Sequence, residues 1–256
     1  MTDQGVDCRE LIAYLDRLLD STNFSDYGPN GLQVQGKNRL QKLTTGVSAC
    51  LELFERSTEI GAHAILVHHG LLWEGLPSEV TGVKYRRLEV LLRNEINLIA
   101  YHLPLDAHPE FGNNALGARG LGCSRLEPFA ELEGRKIGFH GRLTESIDPD
   151  RLLDRCNSVF GVDPLAFLSG PDAIETIGMV SGGGSKALYD AIDLGLDVFI
   201  TGEPNEWVMN VAREAEIHFV AAGHYRTEVL GVRALGEHLA DRFGLEVQFI
   251  DIPNPI

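Results

Sequence analysis

Apolar residues recur along this chain in two rhythms. Near the N-terminus Cys8, Leu11, Ile12, Leu15, Leu18 and Leu19 follow helical spacing, and Asp7 with Glu10 forms a capping-box-like start. The segment 25–36, SDYGPNGLQVQG, carries turn residues and leads into a short strand. A β-α-β pattern follows: strand 43–49, helix 51–61 closed by Gly61, and the apolar strand 63–70 ending in His68-His69. A helix over 86–96 places Leu88, Leu91 and Leu92 on one face, and a strand over 97–106 comes next.

The rhythm returns late in the chain. Strand 176–184 enters a glycine-rich turn, helix 185–195 ends at Gly195, and strand 196–203 follows. A helix near 205–215, strand 217–224, helix 226–243 and strand 245–252 complete the pattern. The segments GVSACLELFERSTEIGAHAILVHHG and GMVSGGGSKALYDAIDLGLDVFITGE share one order of strand, helix, Gly and strand. The expected fold is α/β, with two related halves of mainly parallel sheet flanked by helices. The halves are read as 1–126 and 127–256, with a less regular bridge at 127–173 and a C-terminal segment that packs back on the first half.

Composition narrows the function classes. Of 256 residues, 44% are hydrophobic, enough for a core. The net charge, 22 − 37 = −15, disfavours a nucleic-acid surface, which needs clustered Lys and Arg. The start of the sequence lacks a basic segment followed by an apolar run, and no stretch approaches the ~20 apolar residues of a membrane span. The four cysteines are scattered without a CxxC pair, which favours reduced thiols and a cytoplasmic location over a disulfide or zinc framework.

Ligands gather at the carboxyl ends of strands in open parallel sheets. That rule selects His68 and His69, His102 with Asp106, Glu203, and His224 with Glu228. A lone strand-end histidine is more often structural; two together make a metal as reasonable a reading, and imidazole suits Zn, Fe, Ni or Cu. Asp106 taken alone is a cap or turn residue, and Glu228 taken alone suits a helix N-terminus. Together, His68, His69, Asp106, His224 and Glu228 exceed the protein ligands of one zinc and suit two metals about 3.5–4 Å apart. His102 and Glu203 are candidate proton carriers or groups that orient the ligands. Gly182-Gly183-Gly184-Ser185 could cradle a phosphate, but it lacks the GxxxxGK[ST] pattern, and a structural turn is at least as good a reading. Neither Ser48 nor Ser181 lies in a G-x-S-x-G elbow.

The segments SDYGPNGLQVQG, AHAILVHHGLLWEG, INLIAYHLPLDAHPEFGNN, VSGGG, FITGE, HFVAAGHYRTE and FIDIPNP resemble the NGG-one-interacting-factor-three-like family in its short bacterial form. Members of that family carry the label GTP cyclohydrolase type 2 homologue. The resemblance runs along nearly the whole chain. It implies a homohexameric toroid with a dinuclear site of divalent ions (Zn, Fe, Mn, Ni or Mg) between the halves. It also implies the ligands His68, His69, Asp106, His224 and Glu228, with Asp106 or Glu228 bridging. Tyr225 stands where some relatives have a second histidine, so a sixth protein ligand is not expected there. The functional expectation is a metal-dependent hydrolase acting on a small, nucleotide-like substrate. Alternatives are a metal-binding or chaperone-like ring without turnover and, against the net charge, a ring that encircles DNA.

Overall fold

A computed structural model describes residues 5–256. It is an α/β protein whose chain forms two compact units. One comprises Met1–Leu105 and Val232–Ile252; the other comprises Asp106–Gly231 and Pro253–Ile256. The compact units part after Leu105, and Val232–Ile252 belongs with the first.

The first unit holds a five-stranded sheet. Its order is Glu246–Phe249, Lys42–Ser48, Ala64–His69, Asn97–Ala100 and Gly31–Val34. Three of its pairings are parallel, and only Gly31–Val34 runs antiparallel at its edge. Adjacent residues on a strand face opposite ways, and Thr44 and Thr45 show what each face meets. Thr44 shares a 2.9 Å hydrogen bond with Ser57 on helix Leu51–Glu59. Thr45 packs under Gly236 of helix Val229–Phe243, where an added Cβ would come within 2.9 Å of the Thr45 methyl group. Helices therefore cover both faces, which is why AILV in the central strand is wholly buried. Leu53, Phe54, Ile65, Val67, Leu91 and Leu98 form a core on one side. Leu92, expected beside Leu88 and Leu91 on the buried face of helix Gly82–Arg93, is 59% exposed.

The N-terminal helix, Cys8–Leu18, starts as its sequence requires. The Asp7 carboxylate accepts from the backbone N–H groups of Arg9 and Glu10, and Leu11 and Leu15 are buried. The strand expected over 97–106 instead stops at Ala100. The His102 N–H donates to Asn30 Oδ1 and the Leu103 N–H to Asp26 Oδ2, so the backbone leaves the ladder for side-chain acceptors. A helical turn, Leu103–Asp106, replaces the strand's end and admits Pro104.

The second unit holds a six-stranded mixed sheet. Its order is Cys123–Leu132, Arg135–Ile147, Ile174–Val180, Val198–Thr201, His218–Ala221 and Leu165–Phe167. Only the two pairings around Val198–Thr201 are parallel, so a mainly parallel sheet describes the first unit and not the second. The difference arises in 127–173, which is no irregular bridge. It contains most of a long hairpin, helix Pro149–Phe160 and the edge strand Leu165–Phe167. Glu133 and Gly134, both at positive φ, close that hairpin as a two-residue turn. Leu152, Cys156, Ile177, Met179, Val198 and Val220 are among the residues of its core.

Candidate metal centre

In the first unit three histidines converge. His68 and His69 end strand Ala64–His69, with ring centroids 4.8 Å apart. Neighbouring strand residues point apart in regular sheet, and only the strand's end lets both rings meet. Gln33 holds the turn that follows: its Oε1 accepts from the N–H groups of Leu71 at 2.7 Å and Leu72 at 3.2 Å. His102 joins them, 4.9 Å from the His68 ring and 5.6 Å from the His69 ring. One ring nitrogen from each of the three can be chosen so that all lie within 4.8 Å of one another. His102 thus stands inside the group, although its sequence position suggested a supporting role.

Hydrogen bonds set the tautomers of two of these rings. His68 is fully buried, and its Nδ1 lies 3.0 Å from the Tyr101 carbonyl oxygen. A carbonyl only accepts, so Nδ1–H donates and the lone pair falls on Nε2, the form that ligates metal. His102 Nδ1 lies 2.7 Å from Asp26 Oδ1. Burial alone would push the Asp26 carboxyl up. The hydrogen bond and charge of His102, with donors from Asn30 and Leu103, outweigh burial and hold it below the usual range. Asp26 accepts from His102 Nδ1–H, so in the neutral ring the lone pair falls on Nε2. His69 Nδ1 shares a 3.1 Å hydrogen bond with the Ser48 hydroxyl.

The second unit holds a cluster of its own, of carboxylates and an imidazole. Asp106 is 5% exposed. Its Oδ1 accepts from Asn113 Nδ2 at 2.9 Å and from the Ser181 hydroxyl at 3.0 Å. Asn113 and Asn114 are themselves fully buried; they accept from the N–H groups of Gly231 and Ser181 respectively. His224 follows strand His218–Ala221 and lies between two carboxylates. Its Nδ1 is hydrogen-bonded to Glu203, and its Nε2 is 3.3 Å from Glu228 Oε2. Burial would lower the His224 pKa, but Glu228 and then Glu203 raise it to about 9. Glu228 is 2% exposed, and Glu203 is partly open to solvent.

The glycine-rich turn belongs to this second group as structure. Gly182 has φ +59, and an added Cβ would lie 2.2 Å from Glu228 Oε1 and 3.1 Å from His224 Nε2. Its N–H donates to Thr227 Oγ1, and its carbonyl accepts from the N–H groups of Gly202 and Glu203. The helix after the turn, Leu188–Asp193, is short and is preceded by a 3₁₀ turn. A tight turn that makes room for Glu228 replaces the phosphate-cradle reading.

The donor chemistry fits a divalent ion. Imidazole nitrogens with carboxylate oxygens suit Zn, Fe, Mn or Ni. Glycine at 182 leaves the carboxylate and the imidazole space at their tips. Sequence reasoning missed Asp26, Asn113, Asn114 and Ser181, the groups that orient these donors. Asp26 sat in a segment read only as turn-rich, and Asn113-Asn114 lay beyond the strand expected over 97–106.

The model of the Duf34/NIF3 family, NGG1p interacting factor 3, matches residues 6–255. The chain belongs to this family. A Duf34/NIF3 relative from Pseudomonas aeruginosa, named GTP cyclohydrolase 1 type 2 homolog, is 42% identical over 96% of this chain and 97% of its own. The solved structure of protein ybgI, described as of unknown function, has a TM-score of 0.92 at 42% identity and covers 98% of this chain and 100% of its own. TTHA1606 from Thermus thermophilus has a TM-score of 0.89 at 40% identity, covering 98% and 100%. No helix among the described residues of this family member is long and apolar enough to cross a membrane.

Proposed function

We propose that this Duf34/NIF3 protein is a metal-dependent hydrolase of a small, nucleotide-like substrate. In this reading His68, His69, Asp106, His224 and Glu228 hold two divalent ions, and six chains assemble as a ring, as the family resemblance implies. The observation that carries the reading is that buried neighbours already orient two of these donors, His68 and Asp106. His68 presents Nε2 because Tyr101 takes Nδ1–H, and Asp106 is oriented by Asn113 and Ser181.

A bound pair of divalent ions supplies Lewis acidity and lowers the pKa of a water at the site. The protein's own groups handle protons and orientation. Glu203 is partly exposed and hydrogen-bonded to His224 Nδ1, so it can take a proton from the site and pass it to solvent. His102, backed by ionised Asp26, is a second proton carrier or a further nitrogen donor. Asn113 and Ser181 keep one Asp106 oxygen engaged and so fix the direction of the other.

The test is reconstitution with Zn, Mn, Fe, Ni or Mg, followed by elemental analysis and a hydrolysis screen over nucleotides. Two metals per chain, lost on changing His68 and His69 to Ala, with turnover lost but metal kept in Glu203→Gln, supports the reading. Less than one metal per chain, indifferent to the histidine changes, overturns it. Full metal occupancy with no turnover above the metal-free variant assigns the protein to metal binding without catalysis.

A further inference from the structure

Beside the three histidines lies a cavity of about 530 Å³, lined by residues of the first unit. Its walls include Pro29, Leu71, Leu72, Trp73 and Val83, with Lys84 and Arg87 among its polar residues. That volume is in the range of small-molecule sites, which are mostly apolar with a few placed polar groups.

Trp73 is shared between the cavity and the histidine group. Its ring meets His102 edge-on at 5.1 Å and lies 6.0 Å from His69. The indole N–H is taken by the Gly70 carbonyl at 2.9 Å, so the ring is fixed and offers the cavity apolar surface. Lys84 Nζ donates to the carbonyls of Pro77 at 3.0 Å and Ser78 at 3.2 Å, tying the wall segment 77–78 to helix Gly82–Arg93.

Arg87 is different. Its Nε is buried and makes no hydrogen bond among the described residues. The residue as a whole is only partly buried, so the rest of its guanidinium can meet a ligand, and a guanidinium pairs best with a carboxylate or phosphate. The two lining carboxylates, Glu74 and Glu79, are exposed, and neither pairs with Arg87 in a salt bridge.

We propose that this cavity binds a small aromatic anion, its ring against Trp73 and its carboxylate or phosphate on Arg87. The site stands on its own geometry and does not require the hydrolase reading. Where both hold, Trp73 sets the distance between the bound ring and the histidines.

The test is titration of the purified full chain, by calorimetry and by quenching of Trp73 fluorescence in a Trp207→Phe background. Four probes separate the parts: adenosine monophosphate, naphthalene-2-carboxylate, adenosine and inorganic phosphate. Saturable binding of either aromatic anion is expected, at least roughly tenfold tighter than adenosine or phosphate alone. Whichever anion binds identifies carboxylate or phosphate as the recognised group. Arg87→Met should remove that advantage while leaving adenosine unchanged, and Val83→Phe, which narrows the cavity without adding a second tryptophan, should weaken binding of the ring. Circular dichroism melts confirm that both variants fold. Binding that ignores both substitutions, or no saturable binding of either aromatic anion, overturns the proposal. Because the readout needs neither metal nor turnover, it fails independently of the hydrolase reading.

Discussion

Gly182 lies so close to Glu228 that a Cβ at 182 would sit 2.2 Å from Glu228 Oε1. The residue is also in the left-handed region, at φ +59, where a side chain is strained. Gly182→Ala therefore meets two penalties, together about 2–4 kcal/mol. Gly183, one residue on, has nothing within 4 Å of an added Cβ and no positive φ. The expected outcome is a melting temperature several degrees lower, with reduced metal content, for Gly182→Ala, and neither change for Gly183→Ala. Thermal melts and elemental analysis of the two variants side by side check it. Equal behaviour would mean that the turn does not hold Glu228 in place.

Asn113 makes two buried bonds in opposite senses. Its amide donates to Asp106 at 2.9 Å, and its carbonyl accepts from the Gly231 N–H at 2.7 Å. Asn113→Ala strands that N–H and loosens Asp106, a cost of about 1–3 kcal/mol. Asn113→Asp should cost more, because it sets a second carboxylate against Asp106. Denaturant unfolding at pH 7 and at pH 4.5 separates the effects. The Asp variant should recover part of its stability at the lower pH, where the pair can share a proton, and the Ala variant should not.

The contrast between Asn113 and His68 shows where sequence reading works in this chain. His68 and His69 follow an unbroken apolar run, and the end of a buried parallel strand is a place that a hydropathy pattern can locate. Likewise, His224 and Glu228 follow another such run. The groups that orient these donors lie on segments without periodicity. Asp26 is in a turn-rich loop, and Asn113-Asn114 open a helix, Asn113–Gly120, whose small residues Ala115, Gly117 and Ala118 show no apolar stripe. Long-range contacts between polar side chains leave no spacing to read. The hairpin in 123–147 escaped for a different reason. Charged residues are scattered along both of its strands, so strict alternation is lost, and only Glu133-Gly134 marks the turn.

The four thiols should react in a defined order. Burial pushes Cys123 and Cys156 up to about 12, the former against the opposing charge of Arg155. Burial, and then the charge of Asp7, raises Cys8 as well. The thiolate is the reactive form, so these three stay protonated at pH 8, whereas Cys50 is only partly buried. Iodoacetamide labelling followed by mass spectrometry should modify Cys50 first in the native protein and the other three only on unfolding. Early labelling of Cys123 or Cys156 would show that the second unit's core opens readily.

His224 links metal loading to pH. In the metal-free protein its pKa is raised to about 9, because Glu228 and Glu203 together outweigh burial. A raised folded pKa means that the stability from the charged form is fully present below the unfolded value, about 6.5. That stability is lost as pH climbs through about 9. The metal-free wild type should therefore lose melting temperature across that window, and His224→Gln should lose less. A metal ligated by His224 must displace its proton. Loading at pH 7 should accordingly release protons into a weakly buffered solution, and affinity should fall as pH is lowered. Calorimetry in two buffers of different ionisation enthalpy counts those protons. A count unchanged in His224→Gln would remove His224 from the ligand set.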